Sequence, residues 1–226
     1  TPGRFVRLTA LDGSVTINEA GLQYTGTSAL ANIAGEGAGA AALTDEQDQV
    51  PTEITYQNST YFDEIYHART AYEHILGLEP YENTHPTLGK LLISLGIRVF
   101  GMNPFGWRCV GALLGVLMLP ILYHLLKQLF GRTRLCFAGT LLFAFDFMHF
   151  TQTRIATIDT YAFFFILLMY YFMYRYLTLP AGAPFRKCAL PLFLSGLFWG
   201  IGAASKWTVI YGCTGLVVLY FIGLYQ

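Results

Sequence analysis

Hydrophobic and polar positions are unevenly distributed along the 226 residues. Residues 1–60 are polar and rich in Gly and Ala, with short alternating stretches at Phe5-Val6-Arg7-Leu8 and Val15-Thr16-Ile17 on either side of Asp12-Gly13. Alternation bounded by turn residues predicts a small β-rich or irregular loop domain. Over residues 61–78, apolar positions recur at helical spacing (Ile65, Ala68, Tyr72, Ile75, Leu76), which predicts an amphipathic helix too polar to cross a bilayer. A turn at Glu79-Pro80-Tyr81-Glu82-Asn83 leads to a second helix over about 86–100, whose apolar face is interrupted by Lys90 and Arg98. Both helices suit the membrane surface.

Five apolar stretches follow, at 105–130, 135–150, 160–177, 189–204 and 207–225. A hydrocarbon core about 30 Å thick takes about 20 helical residues to cross, so several stretches pass and two are slightly short. None alternates as a barrel strand would, so helices are the way these segments satisfy their backbone in lipid. The expected fold is an all-α polytopic membrane protein with about five transmembrane helices and two interfacial amphipathic ones. The expected division is a loop domain at 1–60, an extracytoplasmic loop with the two amphipathic helices at 61–104, and the spanning region at 105–226.

Composition agrees: 54% of residues are hydrophobic and only 12% charged. Zero net charge and the lack of a basic stripe argue against a nucleic-acid partner. Cys109, Cys136, Cys188 and Cys213 lie far apart in apolar stretches, without metal or redox spacing, and are read as free thiols. Gly35-Glu36-Gly37-Ala38-Gly39 imitates a phosphate loop but lacks its Lys-Ser/Thr ending. Asn58-Ser59-Thr60 is a glycosylation sequon for a secretory-pathway host. The chain opens at Thr1 and stops just past an apolar run, so a piece of a longer protein is expected.

The connections give a topology. Lys127, Arg132 and Arg134 share one turn, and Arg175, Arg186 and Lys187 flank another on the same side; these plain basic turns face the cytoplasm. Tyr170, Tyr171, Tyr174 and Tyr176 would form an interfacial belt there. With five alternating spans, Asp63, Glu64, His85, Lys90, Arg108, Arg154, Asp159 and Lys206 all fall on the opposite, extracytoplasmic face. Ionisable groups near hydrocarbon are costly and persist mainly where they pair or bind something, so a shared polar site is expected.

The mixture has chemical meaning. Several fixed cations suit a phosphate, and an Asp-Glu pair offers a general base. Adjacent helical residues point about 100° apart, so of Asp63 and Glu64 one should be the base and the other its support. His67, four residues after Asp63, would allow an Asp-His pair or half of a metal site, which leaves a divalent metal open; no complete ligand set and no required cofactor is visible. Asp146 and His149 are read as hydrogen-bonded structural groups.

At these residues the sequence resembles the protein O-mannosyltransferases that use a dolichyl- or polyprenyl-phosphate-mannose donor, built on the GT-C membrane fold. The resemblance rests on five ordered elements: Asp63-Glu64; His85-Pro86-Thr87-Leu88-Gly89-Lys90; Trp107-Arg108; Arg154-Ile155-Ala156-Thr157-Ile158-Asp159; and Ser205-Lys206-Trp207. Thr87 stands where the family element has a second Pro. The resemblance implies transfer of mannose from the lipid phosphate to Ser or Thr hydroxyls of an acceptor protein, with inversion. Asp63 is implied as the base and Arg108 as the holder of the lipid phosphate, with Lys90, His85, Arg154 and Lys206 as further phosphate-side groups. Asp159, His67 and Trp207 are supporting residues. The implied partners are membrane lipid, the lipid-linked sugar and the acceptor, and the implied location is the plasma membrane of a bacterium or the endoplasmic reticulum of a eukaryote. Two other readings stand beside this one: the same fold with a lipid or cell-envelope glycan acceptor, and a transporter or lipid-binding scaffold. A transporter calls for mid-span charges and inverted repeats, whereas here the charges gather at helix ends.

Overall fold

The computed structural model describes residues 20–24, 31–34, 39–45, 47–51, 53–180 and 182–225. The chain divides into two compact units, Thr1–Asn58 and Ser59–Gln226.

In the first unit the described residues form short 3-10 turns at Ala40–Leu43 and Gln47–Gln49, with an isolated bridge at Gln23. Ala20 N–H donates to Leu43 O at 2.8 Å, and the Gln47 side chain donates to Ala20 O at 2.9 Å. The alternating stretches at 5–8 and 15–17 lie outside the described residues, as does 35–38 of the Gly-rich run.

The second unit contains eight α-helices among its described residues: α1 Glu64–Leu76, α2 Leu88–Phe100, α3 Pro104–Phe130, α4 Thr133–Ala144, α5 Phe147–Gln152, α6 Ile158–Leu177, α7 Phe185–Ala203 and α8 Thr208–Tyr225. Helix α3 shows local signals at both ends. Asn103 caps it by accepting from Gly106 N–H at 2.9 Å, Pro104 sits in the first turn, and Gly131 closes it in the left-handed region at φ 68°. Its 27 residues, with a mean hydropathy of 2.2 over an 18-residue stretch, make it, among the described residues, the helix long and apolar enough to cross a membrane. The expected stretches at 160–177, 189–204 and 207–225 correspond to α6, α7 and α8.

One expected element differs. The run 135–150 is two helices, α4 and α5, because Asp146 interrupts it. The Asp146 carboxylate accepts from His149 N–H at 3.0 Å and so starts a new helix, which a hydropathy window does not register.

Helix α6 packs along α7 and also meets α3 and α8, while α2 lies between α1 and α3. The principal core joins Ala68 and Ala71 of α1, Ile93 and Ile97 of α2, Trp107 of α3, and Tyr161 and Phe165 of α6. A second cluster of Met169, Met173 and Leu216 fixes α8 to α6. Small residues let these helices approach: a Cβ on Gly96 would fall against Gly106 O and within 2.6 Å of Cys109 Sγ. Outward faces remain apolar, with Leu113, Val116, Phe137, Leu142, Phe193 and Val218 all exposed, as in a protein solvated by lipid.

Candidate active site

The start of α1 sends two neighbouring carboxylates in different directions. Glu64 points inward and is fully buried. Its Oε1 accepts from Arg108 Nε at 2.7 Å and from Ala156 N–H at 2.8 Å, and its Oε2 accepts from Arg108 Nη2 at 2.5 Å and from Tyr61 N–H at 2.7 Å. Arg108 Nη2 also donates to Ser59 O at 3.0 Å. Burying two charges costs several kcal/mol per ion, and a two-pronged pair with every carboxylate lone pair engaged is the geometry that offsets it. Glu64 thereby ties α1 to the first turn of α3 and to the loop before α6. Arg108, implied above as the holder of the phosphate, is committed to this carboxylate and is only 6% exposed.

Asp63 turns the other way and lines a cavity of about 680 Å³. Asp146, Asp159 and His149 share its wall, and Met118, Phe143, Phe163 and Ile166 carry it between the helices. Met118, near the middle of α3, is the residue that this helix brings to the wall. Beside Asp63, Phe62 also lines the cavity and holds a φ of 54°, a left-handed backbone that bulky residues adopt only at a cost of about 1–3 kcal/mol when their surroundings enforce it.

A second cluster lies in the loop before α2. The Lys90 ammonium, 1% exposed, pairs with the Glu82 carboxylate and donates to Glu82 O at 2.7 Å and His85 O at 3.1 Å. Burial opposes ionisation of Glu82, but hydrogen bonds from Lys90 and Thr84 and the Lys90 charge outweigh it and bring the carboxyl down to about 2. His67 turns its Nδ1 toward Glu82 at 4.0 Å and makes no side-chain hydrogen bond with Asp63. Burial lowers its imidazole pKa, against the raising pull of Glu82 and Asp63. Gly89 explains why this loop sits where it does: a Cβ there would meet Ile158 Cγ2 at 2.8 Å, and Leu88 N–H donates to Ala204 O at 3.0 Å.

The junction between α7 and α8 closes the arrangement. Lys206 Nζ donates to Asp159 Oδ1 at 2.6 Å, and Trp207 Nε1 donates to Thr84 O at 3.2 Å. The Arg154 guanidinium lies over the Phe150 ring at 3.9 Å. Hydrogen bonds thus link α1, the loop before α2, the start of α3, the loop before α6 and the start of α8 at one end of the bundle. Within that end, Asp63 and Asp159 line the cavity, Lys206 reaches it through Asp159, and Glu64, Arg108 and Lys90 are held in the surrounding framework.

Two features lay beyond sequence reasoning. Glu82 was part of a turn in the pattern, and its spacing of eight residues before Lys90 was the available signal. Asp146 and His149 do take the structural bonds expected, an N-cap and a contact of His149 Nε2 with Gly115 O at 3.2 Å, yet both also line the cavity. Among the described residues no three His, Cys, Asp or Glu side chains gather to hold a metal ion.

Helices pack around a cavity that opens among acids and bases, and one of them, α3, is long and apolar enough to cross a membrane. The crystal structure of ArnT from Cupriavidus metallidurans in the apo state shares this fold, with a TM-score of 0.61 at 17% identity over 74% of this chain and 32% of that one. Residues 84–225 match the family described as dolichyl-phosphate-mannose-protein mannosyltransferase, and the chain belongs to that family. It is 28% identical over 182 residues to the polyprenol-phosphate-mannose–protein mannosyltransferase of Mycobacterium tuberculosis, covering 70% of this chain and 34% of that protein. It is 27% identical over 124 residues to the dolichyl-phosphate-mannose–protein mannosyltransferase 4 of Saccharomyces cerevisiae, covering 47% of this chain and 16% of that one. The chain therefore spans about a third of the length of the bacterial relative.

Proposed function

We propose that the full-length protein transfers mannose from a polyprenyl-phosphate-mannose donor to Ser or Thr hydroxyls of an acceptor protein on the extracytoplasmic face of its membrane. The observation that carries this reading is the two-part cavity. Carboxylates Asp63, Asp146 and Asp159 give its wall a polar part, and Met118, Phe143, Phe163 and Ile166 give it an apolar part suited to an isoprenoid tail. The names of the relatives from M. tuberculosis and S. cerevisiae supply the donor and acceptor class. Helices α6, α7 and α8, of 20, 19 and 18 residues, join α3 as spans in this reading.

In the proposed reaction Asp63 takes the proton from the acceptor hydroxyl, the oxygen forms its bond to the anomeric carbon, and the bond to the lipid phosphate breaks from the opposite side, inverting that carbon. Asp63 suits the base because its neighbour Glu64 is consumed by Arg108. Negative charge grows on the departing phosphate, and a pre-placed cation stabilises it most where water is excluded. Lys206 supplies such a cation: it is held against Asp159 of the cavity wall and exchanges that carboxylate for the phosphate. Arg108 then acts through Glu64, fixing the α1 start that aims Asp63.

The reading is tested with the full-length protein reconstituted in lipid, a synthetic polyprenyl-phosphate mannose and a Ser/Thr-containing peptide. The expected product is a peptide bearing one hexose per modified hydroxyl, of inverted anomeric configuration. A mannosylated lipid or glycan with the peptide untouched would move the acceptor assignment elsewhere.

A further inference from the structure

At the far end of α6 and α7 the chain forms a second cavity, about 380 Å³, which the sugar-transfer reading does not use. Arg175 of α6 and Arg186 and Lys187 of α7 converge on it. Asp159 and Arg175 are sixteen residues apart on one helix, so this cavity lies about 24 Å from the Asp63 end, close to the thickness of a hydrocarbon core. It therefore faces the opposite leaflet.

Arg175 lies 6.0 Å from the centre of the Tyr171 ring, a long contact that supplies its charge with no counter-ion. Among the described residues no carboxylate pairs with Arg175, Arg186 or Lys187. Lys127, at the same end of the bundle, differs: its ammonium closes its own turn by donating to Gly131 O at 2.7 Å and Thr133 Oγ1 at 2.8 Å. Arg186 and Lys187 stand in the first turn of α7, where cations oppose the helix dipole, so they do not serve the helix. A basic turn that only set orientation would have no need of a cavity, yet these side chains border one.

The wall below them has a direction. Phe172 stands one turn from Arg175 on α6, and Leu190 and Leu194 follow Arg186 at spacings of four on α7. The α7 row runs from the cations toward mid-membrane, with Phe172 on the same side of Arg175. A cluster of positive charge at headgroup depth above an apolar wall complements a phosphate diester with acyl chains attached.

We propose that this cavity binds the headgroup of an anionic phospholipid from the leaflet opposite the active site, with an acyl chain along Phe172, Leu190 and Leu194. The ligand chemistry is a phosphate oxyanion carried on lipid. Each cation near the headgroup adds a several-fold attraction, so removing all three weakens binding by roughly a hundredfold.

The test uses the full-length protein in mild detergent, with thermal unfolding followed while phosphatidylglycerol, phosphatidylcholine or inorganic phosphate is added. Phosphatidylglycerol is expected to raise the midpoint, and the triple variant R175Q/R186Q/K187Q is expected to lose that rise. Equal stabilisation of wild type by phosphatidylcholine, or by inorganic phosphate alone, overturns the assignment to an anionic lipid. So does an undiminished rise in the triple variant. Should that variant fold poorly, a photoactivatable phosphatidylglycerol cross-linked to the wild-type protein decides the matter: adducts on 172–194 support the site, and adducts only elsewhere overturn it. None of these readouts depends on sugar transfer, so the inference stands or falls apart from the proposed reaction.

Discussion

Glu64 and Arg108, forty-four positions apart, hold each other in a two-pronged ion pair, with Nε 2.7 Å from Oε1 and Nη2 2.5 Å from Oε2. The pair is buried on both sides, its carboxylate side chain 0% and its guanidinium 7% exposed. Its consequence is directional. By fixing the first residue of α1 against α3, it leaves Asp63, one residue earlier, facing the cavity.

Removing one partner leaves an uncompensated buried charge. Glu64→Ala or Arg108→Ala is expected to lower stability by about 3–5 kcal/mol. The double change Glu64→Met/Arg108→Met should cost less than either single change, because no lone charge remains. A double-mutant cycle on unfolding midpoints measures this; strictly additive losses would mean that the two side chains are independent.

Close approach of α2 to α3 depends on Gly96. In Gly96→Ala the new methyl would meet the Gly106 carbonyl and lie 2.6 Å from Cys109 Sγ. Overpacking of this kind costs about 1–3 kcal/mol, and a backbone obstacle favours the upper part of that range. Gly200→Ala serves as the control, since nothing lies within 4 Å of a Cβ there. Its melting temperature should match or slightly exceed that of wild type.

Acid should destabilise the protein in two stages. As pH falls below 6.5, the unfolded chain protonates His67 before the folded one does, because burial lowers its pKa in the folded protein. Glu82, at about 2 when folded against an ordinary 4.5, contributes stability that is complete above 4.5 and is lost as pH falls toward 2. Melting temperatures across pH 7.5 to 2 should therefore decline, with His67→Asn flattening the upper part of the decline and Glu82→Gln the part below 4.5. An unchanged profile in both variants would contradict the assignment of these two groups.

In the proposed reaction Lys206 exchanges Asp159 for the donor phosphate. Lys206→Gln should reduce kcat/KM for the lipid donor by about tenfold to a hundredfold, as loss of one charged hydrogen bond would. Lys206→Arg should restore part of it. Loss that is equal with arginine in place would point to a packing role instead.

Much of this arrangement was legible in the chain, and the remainder was hidden for physical reasons. Helical periodicity located α1 and α2, and the 100° step between neighbours required Asp63 and Glu64 to diverge. The partner of Glu64 could not be read, since a contact between residues forty-four apart is set by tertiary packing. Arg108, expected on the lipid phosphate, was legible as a charged group of this end, but its pairing with Glu64 was not. Hydropathy merged α4 and α5 because one carboxylate, Asp146, barely changes a window average while it starts a new helix. Glu82 was invisible inside a turn until Lys90 was seen to fold back upon it. Within residues 1–60, the stretches on which a β-rich reading rested lie outside the described residues.

The central claim, that Asp63 removes the acceptor proton at this cavity, is tested most directly by one comparison. Transfer of labelled mannose from synthetic polyprenyl-phosphate mannose to a Ser/Thr peptide is measured for the full-length protein and for Asp63→Asn, with both melting curves recorded. The expected result is a rate lower by about a hundredfold to ten-thousandfold at an unchanged melting temperature. Transfer by Asp63→Asn at the wild-type rate would show that the proton leaves by another route.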